Sequence, residues 1–353
     1  MIRKIAVIAI ILLAHSSYSF AGDEAVLSLF EGTPEAATPA TVENEQENGL
    51  FSFLNFKIPF VDHEIKEKKM NAFDETLKAA EDGDIESQLL LGYSYLYGEN
   101  GLKPDYEKAF EYYGKAALQN DPTGLNNLGS LYYSGVGVGR SSAKAAILFQ
   151  KAAELGNPDA AVNLGFILMT GNGAKQDKKE ALKYFEMASA TENAIAKFMT
   201  GYAYYIGYLR TKDYMKAAPL IRYAADAGID EAQLVLADIY MEGKGFPKNY
   251  NNAVKYMRLA ASQGNTEAMM SLANVLASGE KYNKDIDFAY VLYNLSSVRG
   301  VSEASEKLQG LESKMKIKEV LSAQQRAEEF VEKPSAMTTY IHQTYGKNLR
   351  DMF

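Results

Sequence analysis

Six polar residues stand 36 positions apart along the chain: Asp105, Ser141, Asp177, Asp213, Asn249 and Asp285. A carboxylate column of this kind could serve acid–base catalysis or a row of divalent cations. Ser141 and Asn249 argue against both uses, because neither carries charge. All three residue types do accept hydrogen bonds from the free amides of a helix start. The column is therefore read as helix caps, each stabilising by about 0.5–2 kcal/mol over alanine.

Other chemistry lacks its parts. The chain has no cysteine and no tryptophan, and its only histidines are His15, His63 and His342. Disulfides, thiolate zinc sites, cysteine nucleophiles and a lipid-bearing cysteine behind a leader are excluded. Between residues 84 and 300 there is no histidine, so no Ser-His-Asp relay or histidine-based metal site can be built there. The sequence thus offers no catalytic residues, no cofactor site and no metal site.

Residues suited to holding a peptide do recur. Asn127 and Asn163 lie one 36-residue step apart, and each offers the donor and the acceptor that an extended backbone requires. Three residues on runs the column Tyr93, Ser130, Phe166, Tyr202, Asp238 and Asn274, in which Tyr93, Phe166 and Tyr202 supply apolar anchors. Tyr93, Asn127, Asn163, Phe166, Tyr202 and Asp238 form the candidate partner-binding groove. The opposing reading is that they only pack neighbouring units together. The stretch with Tyr202, Tyr204, Tyr205, Tyr208, Arg210 and Lys212, beside Thr200 and Pro219, is irregular enough to mark a bend or a ligand contact.

The elements that position these residues follow from the same period. A first small-residue column runs Gly92, Gly129, Gly165, Gly201, Ala237 and Ala273, spaced 37 once and 36 thereafter. A second, Gly98, Gly135, Gly171, Gly207, Gly243 and Gly279, holds only glycine. Alanine replaces glycine in the first column, so the need there is close approach of a neighbouring helix. The invariance of the second points to positive φ at a helix C-terminus. Asp84, Asp121, Asn157, Asn193 and Asn265 precede one helix of their units, and the Asp105 column precedes the other helix. Each unit therefore reads as two helices, A and B. Leu91, Leu128, Leu164, Leu236 and Leu272, interrupted by Thr200, form the shared core with Tyr95, Tyr132, Leu168, Tyr204, Tyr240 and Leu276. Stacked units of this size read as a solenoid rather than one globular core. Pro219 falls inside a B helix, where a kink or a shortened first turn is expected.

The ends depart from the repeat. Residues 1–21 carry Arg3 and Lys4, an apolar run from Ile5 to Ala14, and Ser19-Phe20-Ala21. That run is about half a membrane span, as in a cleaved export signal. Residues 22–63 form an acidic spacer ending in the apolar cluster 50–61, followed by a cap helix over 64–83. Six repeats occupy 84–300, terminal helices 301–332, and a tail 333–353 that reads as flexible or loosely docked. The formal charge of −8 becomes −10 once Arg3 and Lys4 are removed. With no basic stripe to offset it, nucleic acid and anionic lipid are poor partners.

Leu128 to Gly137 and Lys144 to Gly156 carry Leu-Gly-x-x-Tyr, paired glycines, Lys-Ala and Lys-Ala-Ala. In these residues the chain resembles the Sel1-like repeat, a relative of the tetratricopeptide repeat. The resemblance implies an all-α, right-handed α-solenoid of about six 36-residue helix-turn-helix units with helical caps, whose A helices line the concave surface. With the leader pattern and the missing catalytic parts read above, the chain is expected to be an exported, periplasmic or secreted bacterial protein, a monomeric scaffold without enzymatic activity. Such a scaffold binds partner proteins in envelope assembly or host-cell interaction and has no integral membrane domain. Two other readings stand beside it: a cell-wall-fragment or β-lactam binding protein or hydrolase, and a structural spacer that presents the 50–61 cluster.

Overall fold

The computed structural model describes residues 73–99, 102–346 and 349–353. The expected leader, the acidic spacer with its 50–61 cluster and the start of the cap helix lie outside them. Among the described residues every regular element is helical. Helix α1 spans 73–81. The A helices are α2 (Ile85–Tyr97), α4 (Pro122–Ser134), α6 (Pro158–Thr170), α8 (Ala194–Ile206), α10 (Asp230–Glu242) and α12 (Thr266–Ser278). They alternate with the B helices α3 (Tyr106–Leu118), α5 (Ser142–Glu154), α7 (Lys178–Ser189), α9 (Tyr214–Asp226), α11 (Tyr250–Ser262) and α13 (Ile286–Val298). From α2 to α13 each helix packs against its neighbours in sequence, which makes the array a solenoid.

The polar columns cap as expected. Asp105, Ser141, Asp177, Asp213, Asn249 and Asp285 each accept the amide three residues on. Asp84, Asp121, Asn157, Asn193 and Asn265 do the same for their A helices. The exception is α10, whose preceding residue, Ile229, has no side-chain acceptor.

The two glycine columns separate by cause. Every A helix ends on a glycine of the second column with φ between 67° and 78°, a conformation that costs an L side chain energy. In the first column the constraint is contact. A Cβ on Gly92, Gly129 or Gly165 would stand 2.6, 2.8 or 2.7 Å from a ring carbon of Tyr113, Phe149 or Phe185 in the paired B helix. Where the column turns to Ala237, the residue at that step of helix B is the unbranched Met257, which yields more readily than a ring, whereas Ala273 is matched at that step by Tyr293, so the ring alone does not decide the column.

Pro219 does not shorten α9, which begins at its capping residue Asp213 and runs to Asp226. The expected shortening fails because Pro219 lies on the solvent side. The carbonyl it leaves unpaired belongs to Met215, itself 73% exposed, so water can satisfy it.

Beyond α13, helices α14 (Ser302–Glu312) and α15 (Ile317–Glu328) close the array, with α15 packed on α13. The segment after Glu332 is docked, not loose. It forms α16 (Ala336–Thr344) and a 3-10 turn, Arg350–Met352. Ile341 and Leu349 are buried within the main core cluster, with Met337, Tyr345, Met352 and Phe353 packed at its edge. The polar composition of the tail hid this, because its few apolar residues are spread over some seventeen positions and still reach one surface.

Candidate protein-binding face

The tail lies across the A helices, and each of its contacts can be traced to residue chemistry. Lys333 donates its amide to the Ser262 carbonyl at 2.8 Å. Ser335 donates its amide to Gln263 Oε1 and its hydroxyl to the Gly228 carbonyl, both at 2.8 Å. The Ser335 hydroxyl also caps α16 by accepting the Thr338 amide at 3.0 Å. The Thr338 hydroxyl donates to the Gly228 carbonyl at 2.9 Å and accepts the Asp230 amide at 3.2 Å. This last bond gives an acceptor to the first free amide of α10, one residue after Ile229, rather than to the Ala232 amide that a side-chain cap at 229 would take.

Further along, the Tyr345 ring stacks on Phe166 of α6 with centroids 3.9 Å apart, and its hydroxyl donates to Asn163 Oδ1 at 2.7 Å. Burial pushes the Tyr345 phenol well above its ordinary value. Asn163 passes the chain of bonds on, donating to Asn126 Oδ1 at 3.1 Å, and Asn126 donates to Asn127 at 3.3 Å.

The last turn carries a charge pairing with a buried acid. Glu231 of α10 is 1% exposed and accepts the Leu349 amide at 2.5 Å, the Arg350 amide at 3.1 Å and Arg350 Nε at 3.1 Å. Arg350 also donates to Glu267 of α12 at 2.6 Å. Burial raises the Glu231 carboxyl above its ordinary value, against the pull of those amides and the guanidinium. Burial alone would lower Arg350, but Glu267 and Glu231 outweigh it and raise it. Phe353 ends the chain edge-on to Tyr202 and Tyr208, at 5.4 and 5.2 Å.

The six groove candidates fall into two groups. Asn163, Phe166 and Tyr202 touch the tail, and Asp238 feels the charge of Arg350. Burial, with Glu267 and Glu242 nearby, pushes Asp238 up to about 6, while Arg350 and Lys244 pull the other way. Tyr93 and Asn127 belong to the first two units. Tyr93 packs on Tyr97 at 4.7 Å and donates to Glu99, and Asn127 pairs with Tyr113 and Asn126. The irregular fourth unit receives Phe353, while Arg210 pairs with Glu186 at 2.5 Å and lies over the Tyr204 ring.

Sequence reasoning did not single out Asn126, Glu231 or Glu267. One signal was available: Ile229 breaks an otherwise polar capping column, and a free amide at that helix start takes its acceptor from elsewhere in the chain.

A cleft of about 720 Å³ remains on the flank of α16, against the starts of α6 and α8, with Val162, Ile195, Met337 and Tyr340 in its walls. No described helix is long and apolar enough to cross a membrane.

The Sel1 repeat model matches residues 85–121, 122–157, 158–190, 194–229 and 230–265. Helices α12 and α13 continue the same build beyond the last match. A Sel1 repeat protein from Oxalobacter formigenes has 28% sequence identity and a TM-score of 0.56, over 70% of this chain and 98% of that one. The protein c5321 of uropathogenic Escherichia coli, described as a protective antigen displaying an SLR fold, has 24% identity and a TM-score of 0.56. The match covers 78% of this chain and 66% of the E. coli protein, just under two thirds of its length. No curated protein sequence matches the chain. Five matched units spanning half of the chain, and a solenoid of the same build, establish that the chain belongs to the Sel1 repeat family.

Proposed function

We propose that the protein is an exported, monomeric adaptor without catalytic activity that binds partner proteins through the concave groove lined by its A helices. Its setting is envelope assembly or contact with host cells. Sel1 repeat proteins mediate protein–protein interaction, which gives the class of function. The observation that carries the reading is the seating of a peptide segment on the A helices. Residues 335–346 and 349–353 are held there by backbone amides, a stacked ring and an ion pair, the means by which a groove holds a partner. Export is supported by the basic and apolar pattern of residues 1–21.

A photo-crosslinking amino acid tests this. Placed at Leu90 or Tyr93, on the part of α2 that carries the first groove positions, it should trap a discrete protein in envelope or host-cell extracts. Placed at Met215, exposed on the B helix α9, it should trap none. Adducts from Met215 alone would refute the groove.

A further inference from the structure

We propose that the face formed by α6, α8, α10 and α12 is a receptor for a basic, aromatic peptide segment of a partner protein. Residues 335–353 are its intramolecular stand-in and must be displaced for the partner to bind. This rests on the groove reading above and adds to it the chemistry of the partner and the state of the unbound protein.

The chemistry is set by what the face presents. At α10 and α12 it is acidic: Glu231 and Glu267 pair with one cation from the tail, Arg350, Asp238 feels that cation's charge, and Asp230 lies beside His342 of the tail. Glu231 is buried and faces the arriving backbone as well as the guanidinium, so it recognises an arginine whose amide is also free. At α6 the face is aromatic and amide-bearing, and it takes a tyrosine through Phe166 and Asn163. At the start of α10 it offers an uncapped amide that takes a hydroxyl. A fitting segment thus carries a serine or threonine, then an aromatic ring, then an arginine about five residues later, as Thr338, Tyr345 and Arg350 do.

Two features mark the tail as an occupant rather than a fixed layer of the array. Its polar contacts with the array reach residues 72 to 182 positions away, while successive repeat helices pack directly on one another. Its fit is also incomplete. An open cleft of about 720 Å³ runs along the flank of α16 and is left unfilled by the tail. Tyr340 is 49% exposed, and His342 Nε2 is buried 3.8 Å from Asp230 Oδ1 with no hydrogen-bond partner among the described residues.

The test uses the full chain and a fluorescent synthetic peptide of residues 334–353. In the parent the tethered tail stands at an effective concentration near a millimolar, so free peptide at ~10 µM should be excluded about a hundredfold. The full-length variant Tyr345→Ala with Arg350→Glu, its groove intact, should bind the peptide, and adding Glu231→Gln should abolish that binding. Equal binding by parent and variant, or binding by neither, would overturn the proposal. So would loss of the helical array in the variant, since the tail would then be part of the folded core. Hydrogen exchange on the parent gives an independent check. The amides of Asp230 and of 338–345 should exchange well ahead of those in α8 and the interior of α10, and exchange only with global unfolding would also overturn it. If the peptide fails but crosslinks at Leu90 or Tyr93 persist, the groove reading survives without the displaceable tail. If the peptide binds but no partner is trapped, the tail proposal survives and the adaptor role falls.

Discussion

The hydroxyl of Thr338 accepts the amide of Asp230 at 3.2 Å from 108 residues away, at the one A helix whose own capping position is apolar. Five A helices cap themselves from the preceding residue. At the sixth, the tail instead satisfies the first free amide of the helix, so the local stability of α10 and the docking of the C-terminus are coupled.

Replacing Thr338 with valine keeps its shape and removes that acceptor. We expect a loss of about 0.5–2 kcal/mol, the usual range for a cap. Thr338→Ser should retain most of it. Thermal unfolding of the two variants makes the comparison, with exchange at the Asp230 amide showing that the loss is local.

Arg350 has two carboxylate partners of unequal burial, Glu231 at 1% exposed and Glu267 at 61%. Arg350→Ala orphans a buried acid and should cost about 3–5 kcal/mol. Glu267→Ala removes an exposed partner and should cost about 0–1 kcal/mol. The Arg350→Ala deficit should also shrink on acidification from pH 7.5 to pH 5. Burial already raises the Glu231 carboxyl, and without the guanidinium it takes up a proton more readily. Denaturant melts at both pH values measure each part.

Asp238 gives a pH signature of opposite sense to a salt-bridged aspartate. Its carboxyl sits at about 6 in the folded chain, against 3.8 for the free side chain, because burial and the nearby acids disfavour its charge. The folded state then holds more protons than the unfolded chain between these values, so this group's stabilising contribution is complete below the lower one and lost as pH rises through the upper. Asp238→Asn, which stays neutral, should raise stability at pH 7.5 by about 1–3 kcal/mol. Near pH 4 it should change little. Melting temperatures across that range decide it.

Much of the fold was readable in the sequence because a repeat states the same packing problem six times. The Gly165 column and its replacement by Ala237 could be read as close approach, and the Gly171 column as positive φ, before any coordinates. The face was readable in part. Asn163, Phe166 and Tyr202 were marked by their spacing, but what lies on them was not, because a contact between Tyr345 and Asn163 spans 182 residues and leaves no periodic trace. Glu231 and Glu267 went unnoticed because acids in a first helical turn are ordinary, favoured by the helix dipole.

The ring contact at Gly165 offers a test of the packing itself. Gly165→Ala should cost about 1–3 kcal/mol by overpacking against Phe185, whose ring would lie 2.7 Å from the new methyl. Phe185→Leu also costs stability alone, yet the double variant should be more stable than the sum of the two losses predicts. A double-mutant cycle by chemical denaturation measures that coupling.

The central claim is that the tail is a peptide seated on the A-helix face, and a photo-crosslinker in place of Tyr345 tests it most directly. Irradiated alone in the full chain, it should link to residues 158–170 of α6, and an excess of the 334–353 peptide should reduce that link. Adducts scattered over other helices, or none, would contradict the account.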